Sequence, residues 1–287
     1  MTEVLLPPWN DTDLPALLQL DTVAPLRFRS RHGDPNNNGR SYGGQLLGQA
    51  LMAASYSVPA DRPASALQLV FLQGAIPDVP LEFEVTVLQE GRRFSSRGVR
   101  ASQNGRFVLD AHVTFALDIP SPGHTSPSTA QELPTSLPRM NELARDGPPL
   151  RAASSYTTSV RACIDCRIVG GAKTISELDR PRLRYWMKAL MQSTDRRVHE
   201  AAFAYLSDWW TNYSVCGPHV DPQRPTYGAS LNHSIWFHRP FQVSDWLHVD
   251  SESGIALNGR GLALARVHDE HGVFLATVAQ DTLMAYA

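Results

Sequence analysis

Residues Gln45 to Ala54 place apolar side chains at helical spacing, and the positions between them are Gly, Ala or Gln, so nearly every side of such a helix can be buried. A helix of that kind has to be wrapped. The chain supplies the wrapping next. Ala66 to Leu72, Leu81 to Gln89, Phe94 to Ser102 and Arg106 to Leu117 read as strands. Turn residues separate them at Gln89-Glu90-Gly91-Arg92 and at Gln103-Asn104-Gly105, whose Asn-Gly pair suits a tight hairpin. One buried helix followed by four antiparallel strands is an α+β unit.

The same order then returns. Ser159 to Val169 and Arg182 to Leu190 read as strands, Arg197 to Asp208 as a helix with an Ala-rich buried face. Strands follow at Ser230 to His238, Trp246 to Ser253, Gly261 to His268 and Val273 to Met284. Gly91 to Gly105 and Asn258 to Gly272 share a turn, strand, turn pattern, which indicates an internal duplication. The expected division is a first unit with its N-terminal arm over 1–118, a Pro- and Ser-rich linker over 119–158, and a second unit over 159–287. A chain of 287 residues, 43% of them hydrophobic, can fill cores for both.

Composition removes several functions. A formal net charge of -2 and the lack of any basic run argue against nucleic acid or anionic membrane as partner. Three cysteines, Cys163, Cys166 and Cys216, argue against a disulfide scaffold and for a reducing compartment. Cys163-Ile164-Asp165-Cys166 has metal-site spacing, but no second cysteine pair follows to complete four ligands, so an ordinary strand is expected there and no metal or cofactor. No signal peptide is read at the N-terminus, apolar runs fall short of a membrane span, and Ala285-Tyr286-Ala287 is not a peroxisomal address. The expected location is the cytoplasm. An α/β-type serine hydrolase is not expected, because no Gly-x-Ser-x-Gly elbow is read, and no phosphate-cradling loop is read either.

Within the second copy, Ser230-Leu231-Asn232-His233-Ser234-Ile235-Trp236-Phe237-His238-Arg239-Pro240-Phe241 reads as a strand ended by Pro240. Ser230 stands at its mouth, either as a group placed against a core or as the cap of a turn after Gly228. Gly43-Gly44-Gln45-Leu46-Leu47-Gly48-Gln49-Ala50 resembles a signature of the acyl-CoA thioesterase II (TesB-like) family, and His233 to Phe241 resembles that family's second-half strand. The resemblance spans nearly all of the chain beyond its first two dozen residues. It implies a double hotdog: two tandem units, each an antiparallel sheet around a central helix.

It also implies an acyl-CoA substrate, thioester hydrolysis, and a catalytic set of Asp, Thr or Ser, and Gln that carries over onto Asp208, Ser230 and Gln280. Thioester hydrolysis needs a positioned water, a group to take its proton and donors for the oxyanion. Asp208 is the candidate base, Ser230 and Gln280 the groups that hold the water, and N–H groups at a helix start after Gly43-Gly44 the candidate oxyanion donors. The first copy carries Val113 and Ala66 at the positions matching Gln280 and Ser230, so one working site is expected. Two departures from the family pattern each cost a charge: Phe71-Leu72-Gln73-Gly74-Ala75 replaces an Arg-containing segment, and Asn232 replaces an Asp. His238 and Arg239 are expected to be structural and Trp209-Trp210 to be core. The rival readings are a noncatalytic acyl-thioester-binding module and a hotdog hydratase or dehydratase. No His here stands five residues after an Asp, as a hydratase signature would require. Homo-oligomerisation stays open.

Overall fold

The computed structural model describes residues 5–7, 9–130, 132–146, 161–171, 174, 180–221, 223–224 and 226–286. In chain order its first half holds α1 Leu14–Leu18, β1 Leu20–Ala24, β2 Arg27–Ser30, α2 Gly43–Ser55, β3 Ala64–Phe71, β4 Glu82–Glu90, β5 Phe94–Gln103 and β6 Arg106–Ala116. There follow α3 Met140–Asp146, β7 Ile164–Ile168, β8 Arg182–Ala189, α4 Arg196–Ser207, α5 Tyr213–Cys216, β9 Thr226–Phe237, β10 Leu247–Leu257, β11 Arg260–Asp269 and β12 Phe274–Tyr286. By contact the chain divides into two compact units. The first is Met1–Gly123, Met191–Ser207 and Ser234–Phe237; the second is His124–Leu190, Asp208–His233 and His238–Ala287.

In the first unit the strands run in the order β1-β2-β4-β5-β6-β3. In the second the order is β7-β8-β10-β11-β12-β9. Read element by element these are one arrangement, so the duplication anticipated from turn spacing is a duplication of topology. The turns follow the same chemistry: Asn104 and Gly105 between β5 and β6, and Asn258 and Gly259 between β10 and β11, all have positive φ, as a two-residue hairpin turn of the primed type demands.

The first unit is built on α2. All twelve residues from Gly44 to Ser55 are buried. Its small positions explain how: a Cβ on Gly44 would lie 2.3 Å from the Tyr205 carbonyl oxygen of α4, and one on Gly48 would lie 2.8 Å from the Ala201 carbonyl oxygen. Only glycine lets the two helices approach this closely. The buried amides on α2 are satisfied rather than stranded, as burial requires. Gln45 Oε1 accepts from the Asp34 N–H and Gln45 Nε2 donates to the His32 carbonyl, while Gln49 Nε2 donates to the Leu17 carbonyl. These bonds fasten the loop before α2 and the end of α1 to the central helix.

In the second unit β8, β10 and β11 present two distinct faces. Trp186, His248 and His268 stand side by side in register on one of them. Tyr185, Val249 and Val267 stand in register on the other.

Several expectations shift. The N-terminal arm contains α1, whose Leu14, Leu17 and Leu18 are wholly buried, and the paired strand β1. The stretch expected as linker carries regular structure: a 3-10 turn at Pro134–Ser136 and α3 lie in it, while 147–158 fall outside the described residues, as do 159 and 160 of the strand expected from Ser159. Its described residues strap one face of the second unit's sheet. Thr129 Oγ1 donates to Asp250 Oδ2 at 2.6 Å, Trp186 Nε1 donates to the Glu132 carbonyl, and Arg167 reaches the Pro134 and Leu137 carbonyls. Proline and serine content conceals this, because the strap is held by backbone carbonyls that any residue provides. Cys166 lies within β7, Cys163 just before it, and both are buried free thiols. Among the described residues no helix is long and apolar enough to cross a membrane.

Candidate active site

Asp208, Ser230 and Gln280 belong to the second unit and meet there. Ser230 Oγ donates to Asp208 Oδ1 at 3.0 Å. Gln280 Nε2 donates to the same carboxylate oxygen at 2.7 Å and to Ser230 Oγ at 2.7 Å. The three side chains close a triangle across separations of 22, 72 and 50 residues. Asp208 and Gln280 are buried and Ser230 is half-buried. Gln280 Oε1 is also buried and takes no hydrogen bond from the described residues. A planar amide that gives both N–H groups to its neighbours therefore holds out its oxygen as an acceptor beside a carboxylate.

Local sequence accounts for each position. Gln280 lies on the inward face of β12, opposite Ala263 of β11, a residue small enough to leave the amide room. Ser230 is the fifth residue of β9, which begins at Thr226, so neither the strand mouth nor the turn cap after Gly228 describes it. The apolar pattern used to find this strand starts only at Leu231; Thr226 to Ser230, with Gly228 and the small Ala229 among them, show no such pattern. Gln280 and Asp281 are consecutive on β12 and so face opposite ways. Ser230 bonds the first and Asn232 the second, the latter at 3.4 Å.

Asp208 is the first residue after α4 and opens a tight turn. The turn is strained: Trp210 has φ 62, the left-handed region that a bulky side chain occupies at a cost of about 1–2 kcal/mol. Side chains hold it from beneath. The Tyr185 hydroxyl of β8 donates to the Trp209 carbonyl at 2.8 Å and lies 3.5 Å from Thr211 Oγ1. Ser251 of β10 and Ser214 of α5 both donate to the Thr211 carbonyl, at 3.1 and 3.0 Å. Burial pushes the Tyr185 phenol well above its ordinary range, so it stays a donor. None of these supports carries a motif; the only hint in the sequence is a run of hydroxyl residues at buried strand and helix positions.

The remaining candidates fall elsewhere. His233 is buried, and burial lowers its pKa to about 3, which leaves the ring neutral. His238 pairs with Thr277 Oγ1 at 2.8 Å and stacks beside Phe274, and Arg239 is exposed. Trp209 and Trp210 are buried, the latter against Tyr213. Gln73 donates to the Phe107 carbonyl in the first unit, so it ties the ends of β3 and β6 together. Gly43 and Gly44 begin α2, also in the first unit.

One reading of the sequence needs correction. Gly39-Arg40-Ser41-Tyr42-Gly43 does have the Gly-x-Ser-x-Gly spacing. Ser41, however, is buried in a loop, bridged to Pro35 and bonded through its N–H to the Ala75 carbonyl, rather than exposed at a strand-to-helix elbow.

Both halves of the chain match known proteins in order. Residues 32–116 match the acyl-CoA thioesterase N-terminal domain and residues 134–284 the acyl-CoA thioesterase C-terminal domain. The chain is 30% identical to acyl-coenzyme A thioesterase 8 of Homo sapiens, over 92% of this chain and 86% of that protein. It is 28% identical to acyl-CoA thioesterase 2 of Haemophilus influenzae, over 94% of this chain and 96% of that one. The fold is that of the acyl-CoA thioesterase II TesB2 from Mycobacterium marinum, with a TM-score of 0.79 at 23% identity, covering 96% of this chain and 97% of that one. With two hotdog domains in sequence and this agreement along nearly its whole length, the chain belongs to the acyl-CoA thioesterase II family.

Proposed function

We propose that the protein hydrolyses acyl-CoA thioesters to the free acid and CoA by direct attack of a water held by Asp208, Ser230 and Gln280. The observation that carries the catalytic assignment is the closed triangle of hydrogen bonds among those three side chains. Asp208 takes the proton of the attacking water. The amide of Gln280 fixes the carboxylate by donating to Oδ1, and its own Oε1 accepts from the water on the far side. Ser230 donates to the same carboxylate oxygen, so the carboxylate cannot rotate away as the water loses its proton. Collapse of the tetrahedral intermediate then breaks the carbon–sulfur bond and expels the CoA thiolate, a good leaving group that needs little protonation.

The one-site expectation follows from the duplication, because the first copy carries Val113 and Ala66 where the second carries Gln280 and Ser230. A division into repeat units over 1–118 and 159–287 is part of the same proposal. We assign the protein to a reducing, cytoplasmic location, supported by three buried thiols with no disulfide among them, and we expect no nucleic-acid partner at a net charge of -2.

The test is turnover of short, medium, long and aromatic acyl-CoAs by the parent, Asp208→Asn and Ser230→Ala proteins. Asp208→Asn should lose about 10²- to 10³-fold in kcat, the range expected for removing a positioned base. Near-normal turnover by both variants defeats the assignment.

A further inference from the structure

We propose that Tyr185 is a positioning residue for this hydrolysis: its hydroxyl clamps the strained turn that carries Asp208 and so aims the carboxylate at the attacking water. The inference rests on the catalytic reading of Asp208 given above and goes beyond it to a side chain that touches no reacting atom.

The turn from Asp208 to Thr211 has an intrinsic reason to relax. Trp210 is held at φ 62, where a large L side chain is disfavoured, and nothing about a Trp-Trp sequence favours that conformation. Three hydroxyls oppose the relaxation. Tyr185 donates to the Trp209 carbonyl at 2.8 Å, and Ser251 and Ser214 donate to the Thr211 carbonyl at 3.1 and 3.0 Å. Tyr185 grips the residue next to Asp208, whereas the serines grip the far end of the turn. All three supporting residues are buried, and Tyr185 and Ser251 stand on neighbouring strands of one sheet, β8 and β10. A rigid sheet is thus bonded to a turn that would otherwise move, and Asp208 is the first residue of that turn.

The lever is short. Asp208 must keep Oδ1 within 3.0 Å of both Ser230 and Gln280, and a shift of the turn by a fraction of that distance breaks the triangle. Burial raises the pKa of the Tyr185 phenol, with the charge of Asp208 among the smaller contributions, so the hydroxyl stays a donor.

The test uses Tyr185→Phe, which keeps ring and volume and removes only the hydroxyl. With decanoyl-CoA as substrate and thiol release as readout, kcat should fall about 10- to 100-fold with KM unchanged, the loss expected when a reacting group is displaced by a fraction of an ångström. In an Asp208→Asn background the same substitution should change kcat less than twofold, because there is no carboxylate left to aim. Ser251→Ala, which loosens the other end of the turn, should give a smaller fall with the same dependence on Asp208, and it carries the test if Tyr185→Phe does not fold. The proposal is overturned if folded Tyr185→Phe protein keeps kcat within twofold of the parent. It is overturned equally if the loss is the same with and without Asp208, the signature of general destabilisation. Failure of the catalytic reading itself is distinguishable, since Asp208→Asn alone would then keep its activity.

Discussion

Gln280 donates from Nε2 to Asp208 Oδ1 at 2.7 Å, although 72 residues of chain separate them. The bond joins an inward position on β12 to the first residue beyond α4. Either element alone would offer an ordinary buried amide or an ordinary helix-terminal carboxylate. Together they give a carboxylate whose orientation is fixed by a neutral donor. The second unit holds other buried carboxylates, Asp165 and Asp250, each paired with arginine.

Replacing Gln280 tests that orienting role. Gln280→Ala removes the donor to both Asp208 and Ser230 and should lower kcat about 10- to 100-fold, with KM changed much less, as expected for loss of orientation rather than of binding. Gln280→Glu places a second carboxyl at 2.7 Å from the first, and two carboxylates that close cannot both ionise. Its kcat should fall at least as far as that of the alanine variant, and its pH–rate profile should move to higher pH. Steady-state kinetics from pH 5 to 9 checks both, and a glutamate variant with the parent's profile would contradict the role given to the amide.

Much of the scaffold was legible in the sequence for a physical reason: alternation and helical periodicity report burial on one face, and the Asn-Gly turns report positive φ. The strand pattern found β5, β6, β11 and β12 to within a residue or two at most ends. The first four residues of β9, Thr226-Tyr227-Gly228-Ala229, escape it because they include a glycine and an alanine and show no alternation of large apolar side chains. For residues 1 to about 25 the sequence leaves an arm or a short helix open, because five residues are too few to display a period, and α1 is that short helix. Asp208 and Gln280 came from resemblance alone, since each residue type is common and no spacing links them, and Ser230, singled out by its place on the strand, gained its role only from the resemblance. Tyr185 and Ser251 were invisible for the opposite reason: a buried tyrosine or serine in a strand looks like packing until its hydroxyl is seen on a carbonyl.

His248 makes the second unit sensitive to acid. It is wholly buried and packed at a tilt against Trp186 with ring centroids 4.9 Å apart, and neither ring nitrogen has a hydrogen-bond partner among the described residues. Burial lowers its pKa from 6.5 to about 4, against a smaller opposing pull from Asp250. A histidine whose folded pKa is depressed is neutral in the native state while the unfolded chain takes up a proton, so stability is lost as pH falls from about 6.5 toward 4. The slope is about 1.4 kcal/mol per pH unit for each such group, and His233, lowered to about 3, adds a second. His248→Phe keeps an aromatic ring against Trp186 and removes the titration. Urea unfolding at pH 7.5 and 5 should show a smaller acid loss for the variant than for the parent, and equal losses would refute the account.

Glu200 does the reverse in the first unit. Its carboxylate, buried on α4, receives the Ala64 N–H at 3.3 Å and pairs with Arg196 at 3.1 Å, yet burial dominates and raises its pKa from 4.5 to about 7. Here the folded state holds the proton more tightly than the unfolded chain, so stability is full below about pH 4.5 and declines as pH rises through 7. Glu200→Gln keeps an acceptor for the Ala64 N–H and never ionises. It should match the parent near pH 4.5 and exceed it by about 1–3 kcal/mol at pH 8, the order expected for relieving a buried charge. Denaturant midpoints at the two pH values provide the comparison; a variant weaker than the parent at pH 8 would show that the Arg196 pair outweighs burial.

Gly44 and Gly48 set how closely α2 and α4 approach within the first unit, and their substitution should reveal the first unit's tolerance for strain. A Cβ at Gly44 would meet a backbone carbonyl oxygen at 2.3 Å and the Tyr42 ring at 2.4 Å, and neither helix backbone can yield locally. At Gly48 the nearest atom, at 2.5 Å, is Leu18 Cδ2, the end of a side chain that can rotate, and the carbonyl oxygen of Ala201 lies at 2.8 Å. Alanine normally favours a helix interior over glycine by about 1 kcal/mol, so an increase in stability would be the outcome if space allowed. The short distances reverse the sign. Gly44→Ala should cost about 2–4 kcal/mol and Gly48→Ala about 1–3 kcal/mol, in the range of overpacked cores. The ordering matters more than the values: Gly44→Ala has to be the worse of the two in thermal or urea unfolding, because its clash is with backbone, and a stabilised Gly44→Ala protein would mean that the helices stand farther apart than described.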